Sequence, residues 1–240
     1  QTLNVPADYS TIQAALSASN ELDTVLVQPG TYTENIIWPE TNGIKLISAG
    51  DSSNTIIDGG GVSSVIYMNP QSATIDTTTM IQGFKITNGG NVSNGGGLTF
   101  INSGPKLANL NVIGNESESG GALYFQNCNQ MIFEHSKLIN NSGNMGGGIY
   151  SSNSNIIIKN LQIVDNTASQ YGGGIFITSS GNMLISDSRI DNNSSGQYGG
   201  GGIYFESGSV VNITNSIINE NYSGRQGGGI NGVYASLILK

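Results

Sequence analysis

Three cations, one histidine and a file of aromatic rings are the side chains of this chain that could do chemistry. Lys85, Lys137 and Arg189 alternate with the neutral Asn111, Gln162 and Ile217 at one recurring position. On an acidic protein such a stripe suits contact with an anionic polymer, and a Lys or Arg can also take a proton as a general base. His135 and Asp187 occupy a second recurring position, shared with Asn109, Asn160 and Asn215. As an acid/base pair these two would stand about 10 Å apart in a stacked repeat, too far for a direct hydrogen bond. A ladder of polar side chains, each bonded to the one above and below and so satisfying buried groups, is the simpler expectation. Tyr124, Tyr150, Phe176 and Tyr204, with Thr99 and Asn231 at the ends, make a third file, expected to point outward. These rings could bind a ligand by stacking on sugars. They could equally stack on one another, at roughly 0.5–1.5 kcal/mol per pair.

Other chemistry finds no residues to carry it. The chain has no Gly-x-Ser-x-Gly, His-Glu-x-x-His or Cys-x-x-Cys. Its Gly-rich segments precede strand-like runs and lack the Lys of a phosphate loop, which excludes that mode of nucleotide binding. Asp165, Asp191 and Glu220 fall in different files, whereas a Ca²⁺ site needs six to eight oxygens drawn together. No metal or cofactor is expected, with Ca²⁺ entering only if the protein were a lyase. Glu134 and Lys159 are expected to face each other across neighbouring strands and to pair.

Whatever positions these files must repeat, and the repeat is plain. Gly-Gly-(Gly/Ala)-(Leu/Ile) recurs with its aliphatic residue at Leu98, Leu123, Ile149, Ile175, Ile203 and Ile230, in steps of 25, 26, 26, 28 and 27. A second motif, aliphatic-x-x-Asn, recurs between them as Val112…Asn115, Leu138…Asn141, Ile163…Asn166, Ile190…Asn193 and Ile218…Asn221. Each period holds two or three short alternating runs and no helix-length pattern. A unit of about 26 residues cannot bury its own apolar face, but stacked on its neighbours it can. The spacing therefore predicts an all-β parallel solenoid of roughly eight coils counted from about Asp23. The coils lie about 4.8 Å apart, and crossovers of this kind wind right-handed.

Composition agrees. Gly reaches 35 of 240 residues and charged residues only 10%, against usual shares of about 7% and 25%. Gly and Asn supply left-handed turns at low steric cost. The net charge of −8 and pI near 4.4 leave too few cations to neutralise a phosphate backbone, so nucleic-acid binding is not expected. No apolar run reaches the 18 or so residues of a membrane helix. The single Cys128 excludes an internal disulfide.

The two ends differ. Residues 1–22 read as a cap, with Ser10 as helix N-cap, Gln13 reaching back in a capping box, and Ile12, Ala15 and Leu16 forming one apolar face through about Ala18. Thr24–Val27 and Asn35–Trp38 read as strands around a turn at Gln28–Thr31. At the other end Ala235–Lys240 reads as one more strand with no cap. This end is expected to continue into further coils or to meet another chain, including a copy of itself.

Two stretches carry a resemblance. VPADYSTIQAAL and DTVLVQPGTYTENI, within residues 3–37, look like the opening of right-handed parallel β-helices of the pectin-lyase-like superfamily. Residues 95–230 are similar to the GGAI and FxxN repeats of polymorphic outer-membrane proteins, with GGALYF and GGGIYF matching the first motif and Val, Leu or Ile replacing the Phe of the second. The resemblance implies the β-helix fold across nearly the whole chain, with 95–230 as its clearest repeats. It constrains function far less, because this fold hosts lyases, hydrolases, esterases and adhesins. Lyases of the superfamily abstract a proton beside a uronate carboxylate with Lys or Arg. Neither the Asp-Asp pair of polygalacturonases nor the Gln/Asp/Asp/Arg constellation of pectin methylesterases is found here.

The expectation is one β-helix domain over 1–240, coils from 23, within a longer protein. It is read as secreted or displayed on a bacterial surface, and as a non-catalytic binding, adhesin-like or structural module. Its partners would be a glycan or a surface protein, with Tyr124, Tyr150, Phe176 and Tyr204 as the ligand-binding ladder. The competing reading is a polysaccharide lyase or glycoside hydrolase acting on an acidic polysaccharide. Its catalytic candidates are Lys137, Arg189, Asp187 and His135.

Overall fold

The computed structural model describes all of Gln1–Lys240. Its strands lie in four parallel sheets of ten, eight, eight and four strands. The chain visits the first three in turn: Lys106–Ala108, Asn111–Ile113 and Leu123–Gln126 make one coil, and Met131–Glu134, Lys137–Ile139 and Ile149–Ser152 the next. Ten strands in the first sheet bound nine turns of the solenoid. The register between coils is the one the motifs set, with Leu98 opposite Leu123, Ile149 opposite Ile175 and Ile203 opposite Ile230.

Every second strand residue points inward. Val112, Leu138, Ile163 and Ile190 are fully buried in one file, and Phe100, Phe125, Ile177 and Phe205 in another. Parallel strands alone would leave the coil corners with unpaired amides. The aliphatic-x-x-Asn motif answers this. Asn141 accepts from the backbone N–H and the side-chain amide of Asn115, both at 3.0 Å. It donates to Asn166 Oδ1 at 2.9 Å and to the carbonyl of Val112 at 3.0 Å. The file runs on through Asn193 to Asn221.

The glycine motif meets a different demand. Gly146 has φ +65°, and a Cβ on Gly147 would lie 2.3 Å from the carbonyl oxygen of Thr167 in the next coil. The first glycine permits the turn, and the second lets backbones stack with nothing between them.

The seven-residue helix Ile12–Ala18 covers the open N-terminal end, burying Ile12, Ala15 and Leu16. Its cap differs from the expectation. Thr11, not Ser10, is the N-cap and accepts from the Ala14 N–H at 3.1 Å. The first-turn amides of Ile12 and Gln13 are taken by the Glu34 carboxylate, 2.9 Å from each. Gln13 is thereby freed to reach outward. Its amide accepts from the Ile37 N–H at 2.7 Å and donates to the Ile37 carbonyl at 3.0 Å, closing the edge of the third sheet. The turn after Val27 is also shorter than expected, because Gly30–Thr33 is a strand of the second sheet.

Candidate functional site

The corner between the first and second sheets is made by one left-handed residue per coil. Gly83 (φ 85°), Asn109 (53°), His135 (50°), Asn160 (55°), Asp187 (51°) and Asn215 (45°) hold it in successive coils. Glycine, Asn and Asp tolerate this conformation best, and that backbone demand explains the file. Its side chains stand exposed and do not form the buried ladder expected: among them only Asn215 donates to Asp187, at 2.6 Å. The polar satisfaction assigned to this file belongs instead to Asn115, Asn141, Asn166 and Asn193, which are at most 1% exposed.

Beyond the corner the cation file lies in register as expected, Lys85–Asn111–Lys137–Gln162–Arg189–Ile217, with Lys137, Gln162, Arg189 and Ile217 exposed. The four catalytic candidates divide between two depressions. His135 and Lys137 line a groove of about 520 Å³ with Gln82, Asn109, Asn111 and Asp51. Asp187 and Arg189 lie in a shallower one of about 260 Å³ with Asn160, Gln162 and Asn215. The structure therefore does not bring His135 and Asp187 into one site. Arg189 is further committed to Asp191, to which its guanidinium donates twice. That pairing raises its pKa, chiefly through the hydrogen bond.

The larger groove has two charged walls. Asp51 sits on a tight turn where its carboxylate accepts from the Ser53 hydroxyl and N–H, which hold its pKa below the usual carboxylate range. Lys137 supplies the opposite charge. On the half-buried Asn111, which also lines the groove, Oδ1 is buried without a protein partner. The Glu134 carboxylate next to His135 pairs with Lys106 at 2.7 Å. Lys159, its expected partner, is its strand neighbour, but Lys106 reaches it from the preceding coil. Of the other carboxylates, Asp165 accepts from Asn192 and Asp191 from Arg189.

The aromatic ladder is not a surface. Tyr124, Phe176 and Tyr204 are 4–7% exposed and Tyr150 is half-buried. The rings stack on each other, Tyr124 on Tyr150 at 5.0 Å and 8°, Tyr150 against Phe176 at 5.3 Å, and Phe176 against Tyr204 at 5.5 Å. They do point away from the coil interior, but Phe176 and Tyr204 are covered by a further ring. The four-stranded sheet runs beside them, and Tyr171 from it packs on Phe176 and Tyr204 at 5.5 and 4.8 Å. Burial pushes the phenols of Tyr124 and Tyr204 up to about 12.

The stacked coils and the polar corner groove define a β-solenoid whose outward side chains offer the surface for function. Residues 97–236, 140 of 240, match the family model described as "Right handed beta helix region", and the chain belongs to that family. The fold is similar to pectin methylesterase PemA from Erwinia chrysanthemi, at 11% identity and TM-score 0.59, over 96% of this chain and 80% of that one. It is also similar to a pectin methylesterase solved in complex with a hexasaccharide, at 12% identity and TM-score 0.57, over 94% of this chain and 77% of that one. At such identities the likeness is one of fold. Sequence comparison with curated proteins finds no match. No helix is long and apolar enough to cross a membrane.

Proposed function

We propose that this β-helix is an exported, non-catalytic module that binds an acidic polysaccharide in the corner groove. The carrying observation is the groove itself, where His135 and Lys137 stand with the amides of Gln82, Asn109 and Asn111. Amide donors and acceptors match sugar hydroxyls, and the ammonium of Lys137 matches a uronate carboxylate. The fold likeness to an enzyme solved with a hexasaccharide supports a saccharide as the ligand class. Isothermal titration with oligogalacturonate tests the reading. Lys137→Ala should weaken binding about tenfold, the order of one charge-assisted contact. Equal affinity of wild type and variant would refute the groove as the site.

A second reading, a polysaccharide lyase or hydrolase, draws on His135 and Lys137 sharing one groove. Lys137 would be the base and His135 a proton carrier. A turnover screen on polygalacturonate and methylated pectin, with and without Ca²⁺, decides between the two. Activity that Lys137→Ala abolishes would replace the non-catalytic reading.

A further inference from the structure

Roofing of the aromatic ladder moves the exposed ring surface elsewhere. Tyr171 and Tyr198 close two successive turns of the four-stranded sheet region, each preceded by Gln and followed by a glycine run. Their rings stack with centroids 4.4 Å apart and planes 12° from parallel. Tyr171 is half-buried against the ladder, which anchors the pair from beneath. Tyr198 is 41% exposed. In the strand register Tyr171 stands between Met145 and Gly199, and Gln226 follows in the next coil, its carbonyl accepting from the Gly200 N–H at 3.1 Å. Tyr198 lies one residue before Gly199, and Tyr171 is the ring that stacks on it. The carbonyl of Tyr198 itself is held by Asn231 at 3.4 Å. Gln197, which precedes Tyr198, and Arg225 and Gln226 of the next coil are all exposed, and Arg225 takes part in none of the four ion pairs.

We propose that Tyr171 and Tyr198 form a platform that binds the face of a neutral sugar ring, a second saccharide subsite separate from the corner groove. A pyranose presents an apolar C–H face and a rim of hydroxyls. The Tyr198 ring matches the first. The Gln197 and Gln226 amides and the Arg225 guanidinium match the second, as donors and acceptors at the ring's edge. The anchored pair is rigid, so binding orders little that is not already ordered. The site takes its ligand class from the polysaccharide-binding reading but uses none of the groove's residues.

Native affinity electrophoresis of the full chain tests it, in gels containing hydroxyethylcellulose, arabinoxylan or galactomannan. Wild type should be retarded in at least one. Tyr198→Ala should lose roughly three- to tenfold in apparent affinity, the range expected for one stacked ring. Tyr198→Phe should keep it, and so should Lys137→Ala. Wild type running free in all three gels, or Tyr198→Ala retarded as strongly as wild type, overturns the proposal. A parallel polygalacturonate gel reports on the groove alone, where Lys137→Ala is the sensitive variant. Failure of one site is thus distinguishable from failure of the other. Circular dichroism of each variant confirms that the exposed substitutions leave the coils folded.

Discussion

Replacing Asn166 by Ala should be among the most damaging single changes in the chain. Asn166 is fully buried. Its Oδ1 accepts from the N–H of Asn141 at 3.0 Å and from the Asn141 amide at 2.9 Å. Its Nδ2 donates to the carbonyls of Leu138 and Val164 at 3.0 and 3.1 Å and to Asn193 Oδ1 at 3.0 Å. Truncation strands two buried donors, the backbone N–H of Asn141 and one N–H of its side-chain amide, and takes one donor from two carbonyls. At about 1–3 kcal/mol for each stranded donor, the loss comes to roughly 2–6 kcal/mol. Asn160, one turn position earlier in the same coil, is the control. It is exposed with φ 55°, so Asn160→Gly keeps what the backbone needs there and should cost under about 0.5 kcal/mol. Urea melts followed by far-ultraviolet circular dichroism measure both. Asn166→Asp should be no better than Ala, because it sets a carboxylate against the Leu138 carbonyl and Asn193 Oδ1. If Asn166→Ala and Asn160→Gly melt within about 0.5 kcal/mol of each other, the ladder does not hold the coils together and the reasoning fails.

Other outcomes follow from the same geometry. Ser151 is fully buried in the inward file between Phe125 and Ile177, and its hydroxyl has no partner. Ser151→Ala should therefore raise stability by about 1 kcal/mol, and a lower urea midpoint would contradict this. The Glu40 carboxylate accepts from the N–H groups of Gln71, Ser72 and Ala73, which pull its pKa to about 2. Because the folded value is depressed, its hold on that loop is complete above the ordinary carboxylate range. It is lost as pH falls through about 2. The protection factors of those three amides, corrected for intrinsic exchange, should fall over this window, and Glu40→Gln should remove that fall. Burial pushes the Cys128 thiol up to about 11, so it should stay unreactive to a disulfide reagent at pH 8. Labelling should then follow urea unfolding, and rapid labelling of native protein would show the site to be open.

Much of this fold is legible along the chain because a solenoid brings back the same local demand once per turn. The aliphatic residues from Leu98 to Ile230 predict the inter-coil register, since each must drop into the same slot of the coil beneath it. The glycine and asparagine motifs are equally legible as repeats. Their roles are less so, because a carbonyl 2.3 Å from where a Gly147 side chain would sit is visible only with the next coil in place. The helix cap lies one residue beyond the position a capping box predicts, because Glu34, from the following coil, takes over the amides that such a box would satisfy. The pairing of Glu134 with Lys106 shows the same limit: strand register names the nearest neighbour, but a long side chain can reach diagonally. Tyr171 and Tyr198 left one signal, the repeated Gln-Tyr before a glycine run, which only the exposure of Tyr198 makes meaningful.

By itself the sequence determined what depends on periodicity: the coil length, the register, the inward files, and the recurrence of the Asn109–Asn215 file, whose left-handed backbone only the structure shows. Tertiary structure alone decided which outward files are surface. Alternation places Tyr124, Tyr150, Phe176 and Tyr204 on the outer side of a strand. Whether that side meets water depends on what folds back over it, and here Tyr171 of the four-stranded sheet covers Phe176 and Tyr204. The same holds for His135 and Asp187, alike in position yet divided between two grooves. A repeat sets the direction of a side chain, while its company is set by the coils and loops that close around it.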